Sequence, residues 1–92
     1  MQDDAKAVTW FTKAAGQGHG QAQLFLGVMV LTGRGVEQDL VSGYAWVHLS
    51  AENGIDEAVQ LRDQLRQDME PPQLEEAEQL ASERQGAQQS AK

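Results

Sequence analysis

The stretch from Trp10 to Gly35 reads WFTKAAGQGHGQAQLFLGVMVLTGRG, and it decides the fold. It joins two apolar helical patterns through a glycine-rich turn. Part of it returns 36 positions later, where Trp10 recurs as Trp46 and Ala22 recurs as Ala58. Self-similarity at a period between about 20 and 50 residues is typical of repeat architectures, in which each unit buries its apolar face against a neighbour. The sequence therefore predicts stacked helical hairpins that offer a surface for binding.

The composition excludes several classes of function. The 92 residues are enough for one domain. Because 14 acidic and 7 basic residues give a formal charge of −7, the chain should repel phosphate backbones and anionic lipid, and we expect no nucleic-acid partner. No apolar run reaches the roughly 18 residues of a membrane span, so we expect no membrane insertion. The absence of cysteine excludes disulfides, thiol catalysis and thiolate metal sites.

The compartment stays open at this stage. The opening Met-Gln-Asp-Asp is unlike a signal peptide. A cytoplasmic protein fits this start, and so does a periplasmic one from which an upstream signal segment has been removed.

The first hairpin is predicted from apolar spacing. A helix from about Asp4 to Gly16 places one packing face on a single arc. That face consists of Ala7, Trp10, Phe11, Ala14, Ala15 and Gly18. A second helix, from about Gln21 to Thr32, is apolar nearly all round, which indicates burial on more than one side. Because Gly27 costs this helix about 1 kcal/mol relative to alanine, we expect a close helix crossing there.

Three further helices follow the same logic. The third, from about Asp39 to Glu52, repeats the first. The fourth begins near Asp56, which we expect to cap it. Pro71 interrupts the chain and suits the first position of a fifth helix, which we expect to end near residue 85 and to cover the open end of the stack.

These elements predict one all-α domain at residues 1–85. It contains a full repeat at 3–38, a terminal repeat at 39–69 and a capping helix at 70–85. Residues 86–92 have no apolar periodicity and are expected to be disordered.

The repeated stretch carries a recognisable pattern. From Trp10 it reads WFxKAAxQGHxxAQxxLGxM, followed by GxGVxQD from Gly33. This pattern closely resembles the Sel-one-like repeat, an αα-hairpin relative of the tetratricopeptide repeat, over roughly residues 2–82. The resemblance implies a right-handed α-solenoid fragment with a C-terminal capping helix. It also implies an adaptor or scaffold function, in which the domain binds other proteins within bacterial complexes.

No pattern indicates catalysis or a cofactor. The two histidines, His19 and His48, lack a metal-ligand spacing, and no serine lies in a GxSxG elbow. Gly33-Arg34-Gly35 lacks the lysine and hydroxyl of a phosphate-binding loop. We therefore predict no enzyme, no metal and no cofactor, and a small helical enzyme ranks third among the functional alternatives.

A protein- or peptide-binding groove is the functional prediction. In stacked αα-hairpins the first helix of each unit lines the inner face, so residues of the first and third helices outside the packing face are candidates. They are Thr9, Thr12, Lys13, Tyr44, Ala45, His48 and Glu52. Trp10 and Trp46 are instead expected to lie in the core.

Self-association is the main alternative. The first helix lacks a preceding neighbour, so its apolar edge near Val8 and Phe11 should be covered by a second chain or by another repeat of a longer array. On this view the domain is a structural repeat that forms homo-oligomers.

Overall fold

The computed structural model describes residues 3–90, for the last four of which only the backbone is described. These residues form five α-helices and no strand. The helices are α1 (Asp4–Gly16), α2 (Gly20–Thr32), α3 (Leu40–Glu52), α4 (Asp56–Asp68) and α5 (Pro71–Ser90). The first three begin and end within one residue of the sequence prediction, because glycine-rich turns separate them.

The helix starts are capped in two ways. The Oδ1 atom of Asp3 accepts a hydrogen bond from the Lys6 amide at 3.1 Å, and Asp39 caps α3 in the same manner. At α2, the ring Nδ1 of His19 accepts from the Ala22 amide at 3.3 Å.

The predicted cap at Asp56 is wrong, since that residue is already the first of α4 and Ile55 precedes it without a side-chain cap. Its carboxylate instead adds negative charge to the first helical turn, which is favourable there.

The closest helix crossing lies between α2 and α3. A Cβ atom built on Gly27 would lie 2.8 Å from Cγ2 of Val47 and 3.1 Å from the carbonyl oxygen of Gly43. A real side chain does not tolerate such distances, so glycine is what lets the two backbones meet. The predicted close crossing at Gly27 is confirmed.

A buried polar network ties the first hairpin to the end of α3. The fully buried Gln23 donates from Nε2 to the Ala15 carbonyl oxygen at 3.1 Å and accepts from Nδ2 of Asn53 at 2.8 Å. The Ser50 hydroxyl donates to the Gly20 carbonyl oxygen at 2.8 Å. Because buried polar groups are costly when unpaired, these bonds fix the position of α3 against the turn between α1 and α2.

The fifth helix packs against the side of α3. Ala77 lies in a buried cluster with Tyr44 and Met69, and Ala81 lies in another with Ala45 and Leu49. The capping helix therefore covers one face of α3.

The C-terminal end of α5 differs from the prediction. The helix continues through Gly86 to Ser90, where the sequence analysis expected a disordered segment. One exposed glycine costs a helix only about 1 kcal/mol, and the alanine and glutamines that follow are good helix formers. Ala91 and Lys92, the rest of that segment, lie outside the described residues.

Candidate interaction surface

The predicted groove is partly buried. Tyr44 and Ala45 are both 0% exposed, so neither can contact a partner in this fold. The prediction is wrong at these two positions because α5 lies on the face of α3 that was expected to stay open. Burial also raises the pKa of the Tyr44 phenol, while the nearby Arg66 guanidinium acts in the opposite direction.

His48 and Glu52 lie one helical turn apart beside this buried face. Nε2 of His48 and Oε1 of Glu52 are 3.6 Å apart, and 47% of the glutamate side chain is exposed. The His48 Nδ1 atom has no hydrogen-bond partner among the described residues. The described part of the chain contains no group of three or more His, Cys, Asp or Glu side chains that could hold a metal ion. His48 and Glu52 therefore form a partly exposed pair at the edge of α3.

The α1 members of the predicted groove all lie at the surface. Thr9, Thr12 and Lys13 are exposed. The two threonine hydroxyls donate to backbone carbonyl oxygens one turn earlier, at 3.1 Å to Ala5 and 2.6 Å to Val8. Their methyl groups and the lysine are what α1 offers to solvent here.

The two tryptophans differ, although their places in the repeat match. Trp46 is half-buried and packs against the core, with the Arg84 guanidinium 4.2 Å from its ring centroid. Trp10 is 69% exposed, so its predicted core position is wrong. The reason is that Arg84 of α5 lies over the ring of Trp46, whereas no described helix covers the ring of Trp10.

Arg84 of α5 binds α3 at Ser42 as well. Its guanidinium donates to the Ser42 carbonyl oxygen at 3.2 Å and to the Ser42 hydroxyl at 2.8 Å. Burial lowers the pKa of this arginine, and the Asp39 carboxylate partly offsets the effect.

The face of α3 under α5 has a direct counterpart on α1. The covered residues of α3 are Ser42, Ala45, Trp46 and Leu49. Thirty-six positions earlier stand Lys6, Thr9, Trp10 and Lys13, all exposed on α1. We call these four residues the α1 ridge. Sequence analysis missed Lys6, although its spacing of four residues from Trp10 and seven from Lys13 places the three on one helix face.

The α1 ridge carries two cations, Lys6 and Lys13, that have no acidic partner among the described residues. Three of the arginines lie near carboxylates: Arg34 at 3.2 Å from Asp4, Arg62 at 3.8 Å from Asp63 and Arg66 at 3.4 Å from Glu78. The fourth, Arg84, contacts Trp46. Within residues 3–90, neither lysine of the ridge forms an ion pair. A protein of net charge −7 thus places two free cations beside an exposed indole.

The remaining sequence motifs are structural. His19 caps α2, as described above. Gly33 and Gly35 adopt positive φ angles of 74° and 73° in the turn after α2, and Arg34 between them contacts Asp4. None of the helices in the described part of the chain is both long and apolar enough to cross a membrane.

Comparison with known proteins identifies the family. The sequence matches the Sel1 repeat at residues 1–19 and 20–55, more than half of the chain. The second match pairs α2 with α3, the two helices that cross at Gly27. A search of curated proteins found no match.

A solved structure agrees with this assignment. It is the crystal structure of a protective antigen present in uropathogenic Escherichia coli strains, which displays an SLR fold. The similarity has a TM-score of 0.84 at 30% sequence identity, and it covers 98% of this chain but only 21% of that protein. The chain described here belongs to the Sel1 repeat family, and its helices form an all-α repeat solenoid.

Proposed function

We propose that this domain is an adaptor whose α1 ridge binds an acidic helix of a partner protein. Sel1 repeats are a family of protein-interaction scaffolds, which supports the general function. The observation that carries the finer proposal is the docking of α5 on α3. It covers Ser42, Ala45, Trp46 and Leu49, and the matching residues of α1 are open.

The shape of α5 indicates what kind of segment fits such a face. Its contacts with α3 include those of Ala77, Ala81 and Arg84, which are spaced by four and three residues and share one helix face. Leu74 and Leu80 pack against the same clusters. The small side chains let the helix lie close to α3. A partner helix with alanines at the same spacing can approach Thr9 and Trp10 in the same way.

The charges on the α1 ridge determine the charge that the partner helix should have. On α3 the surface is neutral, and the docked helix supplies the cation Arg84. On α1 the surface itself supplies the cations, at Lys6 and Lys13, which are about 10 Å apart along the helix at 1.5 Å per residue. A helix with carboxylates two turns apart can contact both. The carboxylates nearest in sequence to Lys6 already have partners, since Asp3 accepts from the Lys6 amide and Asp4 contacts Arg34. Charges beyond about 8 Å are screened at physiological salt.

Two matched peptides test the proposal. One has the sequence of residues 71–86, and the other differs only by Arg84→Glu, which places a carboxylate opposite Lys6. The intact α5 should keep its place on α3, because an attached helix has an effective concentration of roughly millimolar. Isothermal titration at physiological salt should show the glutamate peptide binding about tenfold tighter, with NMR shifts at the Trp10 indole.

Variants of the protein locate the site. Lys13→Glu should weaken binding of the glutamate peptide by about tenfold. Lys92→Glu makes the same charge change at the other end of the sequence and should have a much smaller effect. Equal binding of the two peptides, or equal effects of the two lysine variants, would contradict the acidic-helix proposal.

A further inference from the structure

The turn after α3 contains the only asparagine of the chain, Asn53, and a glycine follows it. An asparagine before glycine is open to a spontaneous reaction, because glycine has no side chain to shield its amide nitrogen from the asparagine carboxamide. Asparagine is for this reason one of the thermally labile residues of proteins. Asn53 and Gly54 are both exposed, so water reaches them. A reaction here would change a side chain that joins two parts of the fold.

The reaction at such a pair has two steps. First the Gly54 backbone nitrogen attacks Cγ of Asn53, so that a new C–N bond forms, the Cγ–Nδ2 bond breaks, and ammonia leaves with the proton of the attacking nitrogen. The product is a cyclic succinimide. Water then adds to one of its two carbonyl carbons and cleaves the bond from that carbon to the Gly54 nitrogen. The result is an aspartate or an isoaspartate, and water is the only other reactant.

The folded turn keeps the two reacting atoms apart. Asn53 has a ψ angle of 9°, which places the Gly54 nitrogen beside the backbone nitrogen of Asn53 and away from its Cβ atom. The Gly54 amide donates to the Ala51 carbonyl oxygen at 3.0 Å, and the Asn53 carboxamide donates to Oε1 of Gln23 at 2.8 Å. Ring closure requires both hydrogen bonds to break and ψ to rotate. The reaction should therefore proceed through local opening of the turn.

The carboxamide of Asn53 is a donor that a carboxylate cannot replace. Gln23 is fully buried, and its Nε2 atom already donates to the Ala15 carbonyl oxygen at 3.1 Å. An aspartate at position 53 would direct an oxygen at Oε1 of Gln23, and this buried acceptor would lose its donor, which is costly. The new charge would also lie at the C-terminal end of α3, where the helix dipole disfavours an anion. Both effects weaken the contact of α3 with the first hairpin.

The first repeat has the same turn without the reactive residue. Gln17 stands 36 positions before Asn53, with φ and ψ angles of −91° and 6° against −85° and 9°. Gly18 and Gly54 follow them with φ angles of 86° and 85°. Glutamine reacts far more slowly, because its ring would be larger by one carbon. The chain therefore has one reactive and one inert copy of a single turn.

We propose that Asn53 is a latent deamidation site, protected while α3 stays docked on the first hairpin and reactive once this junction opens. Because the product lacks the donor to Gln23, an opening that ends in deamidation leaves the junction weaker than before. The change is irreversible, since ammonia is lost. The junction between the two repeats is thus the point at which spontaneous modification loosens the stack.

Mass spectrometry tests the protection. The protein is incubated in mildly alkaline buffer, with and without guanidinium chloride above the unfolding midpoint, and the tryptic peptide 35–62 is followed for aspartate and isoaspartate at position 53. Conversion should be at least about tenfold slower without denaturant, because only the opened turn reacts. Asn53→Gln is the matched control, with Gln17 as its precedent, and should keep its mass in both buffers. Equal rates in the two buffers, or an Asn53 that persists in denaturant, would overturn the proposal.

Stability measurements test the consequence. Asn53→Asp and the deamidated protein should unfold at lower urea concentration than the parent, with faster hydrogen exchange at the start of α2 and the end of α3. Gln23→Met provides a second background, since it keeps the length of the side chain and removes its carboxamide. The drop in midpoint caused by Asn53→Asp should be smaller there than in the parent. An Asn53→Asp variant as stable as the parent, or an equal drop in both backgrounds, would contradict the role of Asn53 at the junction.

Discussion

Helices α1 and α3 are two versions of one element, and they differ mainly in what covers them. Each has 13 residues, an aspartate cap and a tryptophan at the same position. Seven residues of α3 are buried between α2, α4 and α5, whereas only Ala15 of α1 is. Within a repeat, the neighbours of a helix therefore decide which side chains form core and which form surface.

The largest expected difference is between the tryptophans. Trp46→Ala should destabilise the domain by about 3 kcal/mol, because it removes packing against two core clusters and the contact with Arg84. Trp10→Ala should change stability by no more than about 0.5 kcal/mol, as expected at an exposed site. Urea denaturation followed by circular dichroism measures both. Equal losses would mean that α1 is covered in solution.

The helix bounds of the repeat could be predicted because they depend on local signals. Glycines after α1, α2 and α3 end those helices, and Gly33 and Gly54 adopt the positive φ angles that favour glycine. The misplaced end of α5 has the opposite cause. Gly86 stands inside a helix without a left-handed turn, and nothing in its immediate sequence distinguishes it from a terminating glycine.

The candidate site was harder to predict because it depends on where α5 lies. The sequence gives α5 an apolar face that includes Ala77 and Ala81, but not the helix that this face meets. Tyr44 and Ala45 were therefore assigned to an open groove, although α5 buries them. Lys6 was overlooked because its place on the proposed surface appears only when α1 is compared with α3, where Arg84 covers the counterpart Ser42.

The next largest effect concerns the close crossing of α2 and α3 at Gly27, which has no equivalent on α1. Gly27→Ala should destabilise the domain by about 1–2 kcal/mol, because the new methyl group meets Val47 and the Gly43 carbonyl. Gly16→Ala is the control on α1, where a Cβ atom meets nothing within 4 Å. It should be neutral or stabilising by up to about 1 kcal/mol. A neutral Gly27→Ala variant in thermal denaturation would contradict the close crossing.

A smaller effect is expected where α5 holds α3. Arg84→Gln removes the guanidinium from Trp46 and its hydrogen bonds to Ser42, at a cost of about 1 kcal/mol. Arg66→Gln makes the same change in the exposed pair with Glu78, which also joins α5 to the stack. Its cost should be no more than about 0.5 kcal/mol. Chemical denaturation of the two variants compares their losses of stability. It tests whether the contact of Arg84 with Trp46 holds α5 in place more strongly than the surface ion pair of Arg66 and Glu78 does.

The smallest effect concerns the hydroxyl of Tyr44, whose counterpart on α1 is the apolar Val8. This buried hydroxyl has no hydrogen-bond partner among the described residues. Tyr44→Phe keeps the packing and removes an unpaired polar group, so stability at neutral pH should stay equal or rise by up to about 1 kcal/mol. A loss of stability would show that the hydroxyl does have a partner.

The pH dependence of Tyr44→Phe gives a second test of the same comparison. Burial raises the pKa of the Tyr44 phenol, so the fold favours its neutral form. That contribution is fully present below the unfolded pKa, about 10, and is lost as the pH rises through the folded value. Above pH of about 10 the parent protein should therefore lose stability faster than the phenylalanine variant. Parallel curves would mean that α5 does not seal this face of α3, and that α3 is then as open as α1.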